Sequence, residues 1–162
     1  MSAKTKLIVG AIFAIGIAIP ISAYSNEESH IDQSKGKYLI KLSGCNDCHT
    51  AGYAASGATI PEAQWLSGDE LGFRGPWGTT YAINLREYIG GITENEWVTI
   101  AKALKTRPPM PWWVLNIMTD SDLRAIYQYI KYLGVIKKDI PLYVPPGVEP
   151  KTPYIQWPSP PE

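Results

Sequence analysis

A chain of 162 residues carrying fifteen basic and fifteen acidic side chains has room for one domain plus extensions. Its formal charge is zero, and no strong basic patch in the sequence points to nucleic acid or an anionic membrane. Two cysteines and two histidines would all have to converge to make a structural zinc site, and His30 lies well before the other three.

Residues 1–23 read as a cleaved secretory signal peptide. Lys4 and Lys6 form a short basic start, an apolar run extends from Leu7 to Ile19, and Pro20, Ser22, Ala23 and Ser25 follow. The apolar run falls short of the roughly 20 residues a spanning helix needs, so a retained anchor is the alternative. No cysteine near the cleavage site offers a lipid attachment point. Losing Lys4 and Lys6 leaves thirteen basic against fifteen acidic side chains, a net −2. The expected location is the periplasm of a Gram-negative-type bacterium, with no stable membrane span after cleavage.

Ile31 to Leu42 is expected as the first helix. Asp32 or Ser34 can cap it, and Tyr38, Leu39 and Leu42 would form its apolar side. Gly36 costs about 1 kcal/mol relative to Ala inside a helix, which a close crossing by another helix would explain.

The helix runs into Cys45-Asn46-Asp47-Cys48-His49. In a chain with no other cysteine, Cys-x-x-Cys-His is the attachment pattern of a c-type haem. The two thiols add to the vinyl groups and His49 is placed to bind the iron. A redox dithiol would want a βαβ pattern around it, and none is apparent. Export agrees with this reading, because c-type haem is attached outside the bacterial cytoplasm. About a hundred residues, from Ile31 to Gly134, remain for a core. That is modest, so a covalent haem would supply much of the apolar interior and the apo-chain should fold poorly.

Beyond His49, Gly68, Gly72, Gly75, Pro76 and Gly78 predict a long irregular stretch in which Arg74 could pair with a haem propionate. Thr93 to Leu104 is the next predicted helix, with Thr93 and Glu96 as a capping box and Ile92 and Trp97 as a hydrophobic staple. Thr119 to Leu133 is the last. Thr119 and Asp122 resemble the same box, and Leu123, Ile126, Tyr127, Ile130 and Leu133 form its stripe. Gly134 ends it. Residues 135–162 are a Pro-rich extension, either linker-like or a strap packed through Tyr143, Tyr154 and Trp157. Three large aromatics favour packing.

The opposite face of the iron has three candidate ligands: Met110, Met118 and His30, or it is open. Met118 precedes the last helix at the staple position. Met110 has no such structural role and sits in Pro108-Pro109-Met110-Pro111-Trp112-Trp113, where fixed proline φ angles stiffen the loop. A rigid thioether suits a ligand that stays bound in both oxidation states, which makes Met110 the leading candidate and points to an electron carrier.

These residues resemble monohaem class I c-type cytochromes, and more narrowly the small cytochrome c modules of periplasmic carriers and of alcohol- and sugar-dehydrogenase cytochrome subunits. The likeness spans about Asp32 to Gly134. It rests on Gly36-Lys37-Tyr38-Leu39, the Cys45 to Thr50 motif, Gly75-Pro76-Trp77-Gly78 through Tyr81, Asn84, Pro109-Met110-Pro111-Trp112 and Thr119 to Tyr127. The segment after Asn84 is shorter than in many relatives. The resemblance implies an all-α fold of three to five helices around one covalently bound haem c within residues 24–134. It also implies Met110 as the axial methionine and Gly36 packed near Tyr127.

The expected function is single-electron transfer between a periplasmic dehydrogenase and an oxidase, reductase or membrane cytochrome, with Trp112 and Trp113 as candidate contacts. The alternative is a subunit fixed in a respiratory or dehydrogenase complex, its tail binding the partner. A sensor or peroxidase would need an open iron. No Ser/His/Asp set, phosphate loop or second metal site makes the chain an enzyme by itself.

Overall fold

The computed structural model describes residues 33–158. The expected leader at 1–23 and His30 lie outside them. The first helix, α1, covers 33–42. Its buried positions are Gly36 and Ile40, four apart and therefore on one face. The expected apolar side is corrected here: Tyr38 and Leu42 are well exposed, and only Leu39 of that set packs against the core. Gly36 explains the face that is chosen. A Cβ there would lie 2.1 Å from the Ala125 carbonyl oxygen and 2.6 Å from the Tyr129 Cβ, so only glycine lets this helix come down on its neighbour. The nearest atoms belong to Ala125 and Tyr129, on either side of Tyr127 in the same helix, and the Tyr127 hydroxyl donates to the Ile92 carbonyl at 3.0 Å.

A short helix α2 (Cys45–His49) follows, then a 3-10 turn (Glu62–Gln64), strands β1 (Gly72–Gly75) and β2 (Gly78–Tyr81), and helices α3 (Leu85–Gly90), α4 (Glu94–Ala103), α5 (Trp112–Ile117) and α6 (Asp120–Leu133). Both expected capping boxes are present. Thr93 and Glu96 open α4, and Thr119 and Asp122 open α6. Helix α6 is the central element, packed by α3 and α4. Its Leu123, Ala125, Ile126, Tyr127, Tyr129 and Ile130 are buried. The Trp97 indole N–H donates to the Leu123 carbonyl at 2.8 Å, joining α4 to α6 inside the core.

The all-α expectation needs correction, because a small sheet of order β2-β1-β3 accompanies the helices. β1 and β2 form an antiparallel hairpin around Pro76-Trp77, within the stretch expected to be irregular. Strand β3 (Tyr154–Gln156) comes from the C-terminal extension and pairs parallel with β1. Two four-residue strands framed by glycines carry too little alternation to read locally, and the third strand arrives from far along the chain.

Residues 135–158 are thus a strap on the body. Val144 exchanges backbone hydrogen bonds with Thr79 at 2.8 and 3.0 Å, and Gly72 N–H donates to the Pro153 carbonyl at 2.9 Å. Arg74 belongs to this strap contact: its guanidinium bonds Glu149 and the Tyr154 hydroxyl and lies over the Tyr154 ring. Arg86 secures the far end of α6. Though buried, it donates to the Ala63 carbonyl at 2.7 Å, the Gly134 carbonyl at 2.5 Å and the Leu133 carbonyl. A cation on the last carbonyls of a helix also meets the negative end of its dipole.

Candidate functional site

Helix α2 is one turn long. It begins after Gly44 in a left-handed conformation (φ 67°), which reverses the chain out of α1. One turn places Cys45, Cys48 and His49 at i, i+3 and i+4, hence on one side. Both cysteines are half-buried and are not joined to each other. Burial pushes the Cys45 thiol up to about 11, and burial with Asp47 and Asp69 pushes Cys48 up. Reactive redox dithiols are instead shifted downward.

His49 is buried, and its Nδ1 lies 2.8 Å from the Ile83 carbonyl oxygen. A carbonyl only accepts, so Nδ1 carries the proton and Nε2 keeps a free lone pair. Burial holds the ring's pKa below the usual histidine value, partly opposed by the Ile83 bond. A neutral imidazole with one nitrogen anchored and the other free is the form that binds a metal.

Thr50 and Leu66, to which the sequence assigned no structural role, fix this turn. Thr50, fully buried, donates its hydroxyl to Asn46 Oδ1 at 2.7 Å and accepts the Leu66 N–H at 2.7 Å. Leu66 holds a positive φ of 59°, uncommon for a branched side chain. In that conformation its carbonyl also accepts the Leu85 and Arg86 N–H groups at the start of α3. The His49 carbonyl accepts the Gly68 N–H at 2.8 Å. Residues 46–50 are therefore locked onto 66–68 and, through them, onto α3. Asn46 keeps a buried Nδ2 with no hydrogen-bond acceptor among the described residues.

Met110 lies between α4 and α5, half-buried against the same core cluster that Cys45 touches. Its carbonyl accepts the Trp112 N–H at 2.9 Å, and the Thr80 hydroxyl donates to the Pro108 carbonyl at 2.8 Å. Met118 packs against that cluster too, so burial does not separate the two methionines. Their backbone roles do. Met118 ends α5 and stands just before the Thr119 cap, with buried Leu123 at the matching staple position. Trp112 and Trp113 open α5, a helix the sequence reading did not include. Trp113 is 55% exposed, and Trp112 is half-buried against its edge.

The structure thus brings Cys45, Cys48 and His49 together on one turn, with Met110 on a separate, braced loop. This donor set fits a c-type haem: two thiols, one neutral imidazole and thioethers. Among the described residues no three His, Cys, Asp or Glu side chains converge closely enough to hold a metal ion by themselves. No described helix is long and apolar enough to cross a membrane.

No family model matches the chain, and no solved structure does. It is 26% identical over 160 residues to a protein of Gluconobacter oxydans (strain 621H) named alcohol dehydrogenase (quinone), cytochrome c subunit. The match covers 89% of this chain and 30% of that protein, so the chain spans under a third of its relative's length.

Proposed function

We propose that this chain is a periplasmic electron-transfer protein of the class I cytochrome c type, carrying one covalent haem c. Cys45 and Cys48 would hold the haem as thioethers, and His49 Nε2 and the Met110 thioether would bind its iron. The observation that carries this reading is the His49–Ile83 bond beside two thiols on a single helical turn. When bound, haem supplies one-electron chemistry at iron that cycles between two oxidation states.

The chain's own residues bind, orient and exclude water. Ile83 fixes the imidazole tautomer and ring plane, and the Asn46–Thr50–Leu66 lock keeps His49 and both thiols in register. The proline-stiffened loop limits how far Met110 can move. Ligation by His and Met would raise the reduction potential and leave no coordination site for a substrate. The partners are redox proteins: a dehydrogenase as donor and an oxidase, reductase or membrane cytochrome as acceptor. The likeness to a dehydrogenase cytochrome subunit supports this and also favours a second reading, a subunit fixed in such a complex. Purification separates the two readings, because a carrier is isolated as a free, reversibly reducible monomer and a subunit with its complex.

The ligand assignment is tested by the weak charge-transfer band of Met–iron(III) coordination. The oxidised holo-protein should show it, Met110→Ala should abolish it and Met118→Ala should keep it. The reverse pattern overturns the assignment.

A further inference from the structure

We propose that the first part of the strap, from Ile136 to Val144, is a clamp that positions both ligand-bearing segments of the haem site. This rests on the reading of His49 and Met110 as axial ligands. His49 has two anchors, the Ile83 carbonyl on Nδ1 and the Gly68 N–H on its backbone carbonyl. The strap grips the neighbour of one anchor and the other anchor itself. Asn84, next to Ile83, caps α3 by accepting the Glu87 N–H at 3.1 Å and donates Nδ2 to the Ile136 carbonyl at 2.7 Å. The Gly68 carbonyl accepts Lys138 Nζ at 3.0 Å. Ile140 covers Gly68 so closely that a Cβ there would meet its Cδ1 at 2.6 Å.

A few residues further on, the same strap reaches the Met110 loop. The Arg107 guanidinium stacks over the Tyr143 ring at 3.9 Å. Tyr143 donates its hydroxyl to the Trp77 carbonyl at 2.8 Å, and Val144 pairs with Thr79. Thr80, next in β2, holds Pro108. Arg107 and Pro108 are therefore pinned from the strap and from the strand the strap is bonded to. Tyr143 and Lys138 are positioning residues, since they act on His49 and Met110 only through Arg107 and Gly68.

Carbon monoxide binding to the reduced holo-protein tests the clamp, because it requires Met110 to leave the iron. Tyr143→Ala should bind carbon monoxide at least tenfold faster than wild type. Tyr143→Phe, which keeps the ring over Arg107 and loses only the Trp77 bond, should bind it more slowly than Tyr143→Ala. Arg107→Gln removes the stack from its exposed side and should match Tyr143→Ala, which guards against a folding defect at Tyr143. Tyr154→Ala cuts the far end of the strap without touching Arg107 or Gly68 and should behave as wild type. Unchanged rates in Tyr143→Ala and Arg107→Gln, or equal acceleration in Tyr154→Ala, overturn the clamp while the ligand assignment stands. Wild type binding carbon monoxide as fast as Met110→Ala overturns the ligand assignment and the clamp with it.

Discussion

Gly36 lies so close to the Ala125 carbonyl that a methyl group in its place would sit 2.1 Å from that oxygen. Helix α1, which delivers the chain to Cys45, is set on α6 by this approach. Backbone is the obstacle, so relief requires the helices to part. Gly36→Ala should gain about 1 kcal/mol of helix propensity and lose about 2–3 kcal/mol to overpacking. A net loss of about 1–2 kcal/mol is expected from denaturant titration of the holo-protein, and a stabilised variant would contradict the crossing.

Thr50 satisfies two buried groups at once, accepting from Leu66 and donating to Asn46. Thr50→Val keeps the shape and strands both partners, at roughly 1–3 kcal/mol each. Thr50→Ser retains the hydroxyl. Denaturation midpoints should fall strongly for Val and little for Ser; equal losses would mean that the methyl group matters and the lock does not.

Glu62 connects α1 to α6. Lys37 pairs with one of its oxygens, and the buried Tyr129 hydroxyl donates to the other at 2.8 Å. The Lys37 bond, with help from Tyr129, holds the Glu62 carboxyl below its usual range, while burial and then Glu62 push the Tyr129 phenol well above its own. A carboxyl depressed in the fold stabilises above its unfolded value, about 4.3, and loses that contribution as pH falls through the folded value. Wild type should therefore lose stability below about pH 5 more steeply than Glu62→Gln. At pH 7 the variant should be weaker by about 1 kcal/mol, a modest figure because the pair is partly solvent-screened. Parallel pH–stability curves for the two proteins would rule this out.

What was legible in the sequence was local. The boxes Thr93–Glu96 and Thr119–Asp122 announce α4 and α6 because cap and partner lie three residues apart. Cys45, Cys48 and His49 announce themselves for the same reason. Helix α3 was signalled in the same way, by Asn84 with Glu87 three residues on, but its shortness hid it. Helix α5 was hidden by the prolines before Trp112, although a proline just ahead of a helix is a common start. What no local pattern carries is pairing at a distance. The third strand of the sheet, the Ile83 carbonyl on His49, Arg86 on the end of α6 and Tyr143 under Arg107 each join residues tens of positions apart. The same applies to the face of α1, where Gly36 rather than the larger Tyr38 and Leu42 decides which side is buried.

Mass spectrometry of the purified protein under denaturing conditions distinguishes covalent haem attachment at Cys45 and Cys48 from a chain that carries no covalent haem. The polypeptide should retain the mass of one haem after unfolding, and Cys45→Ala with Cys48→Ala should release it. A chain that carries no haem when unfolded, its two cysteines free or joined to each other, would contradict covalent attachment.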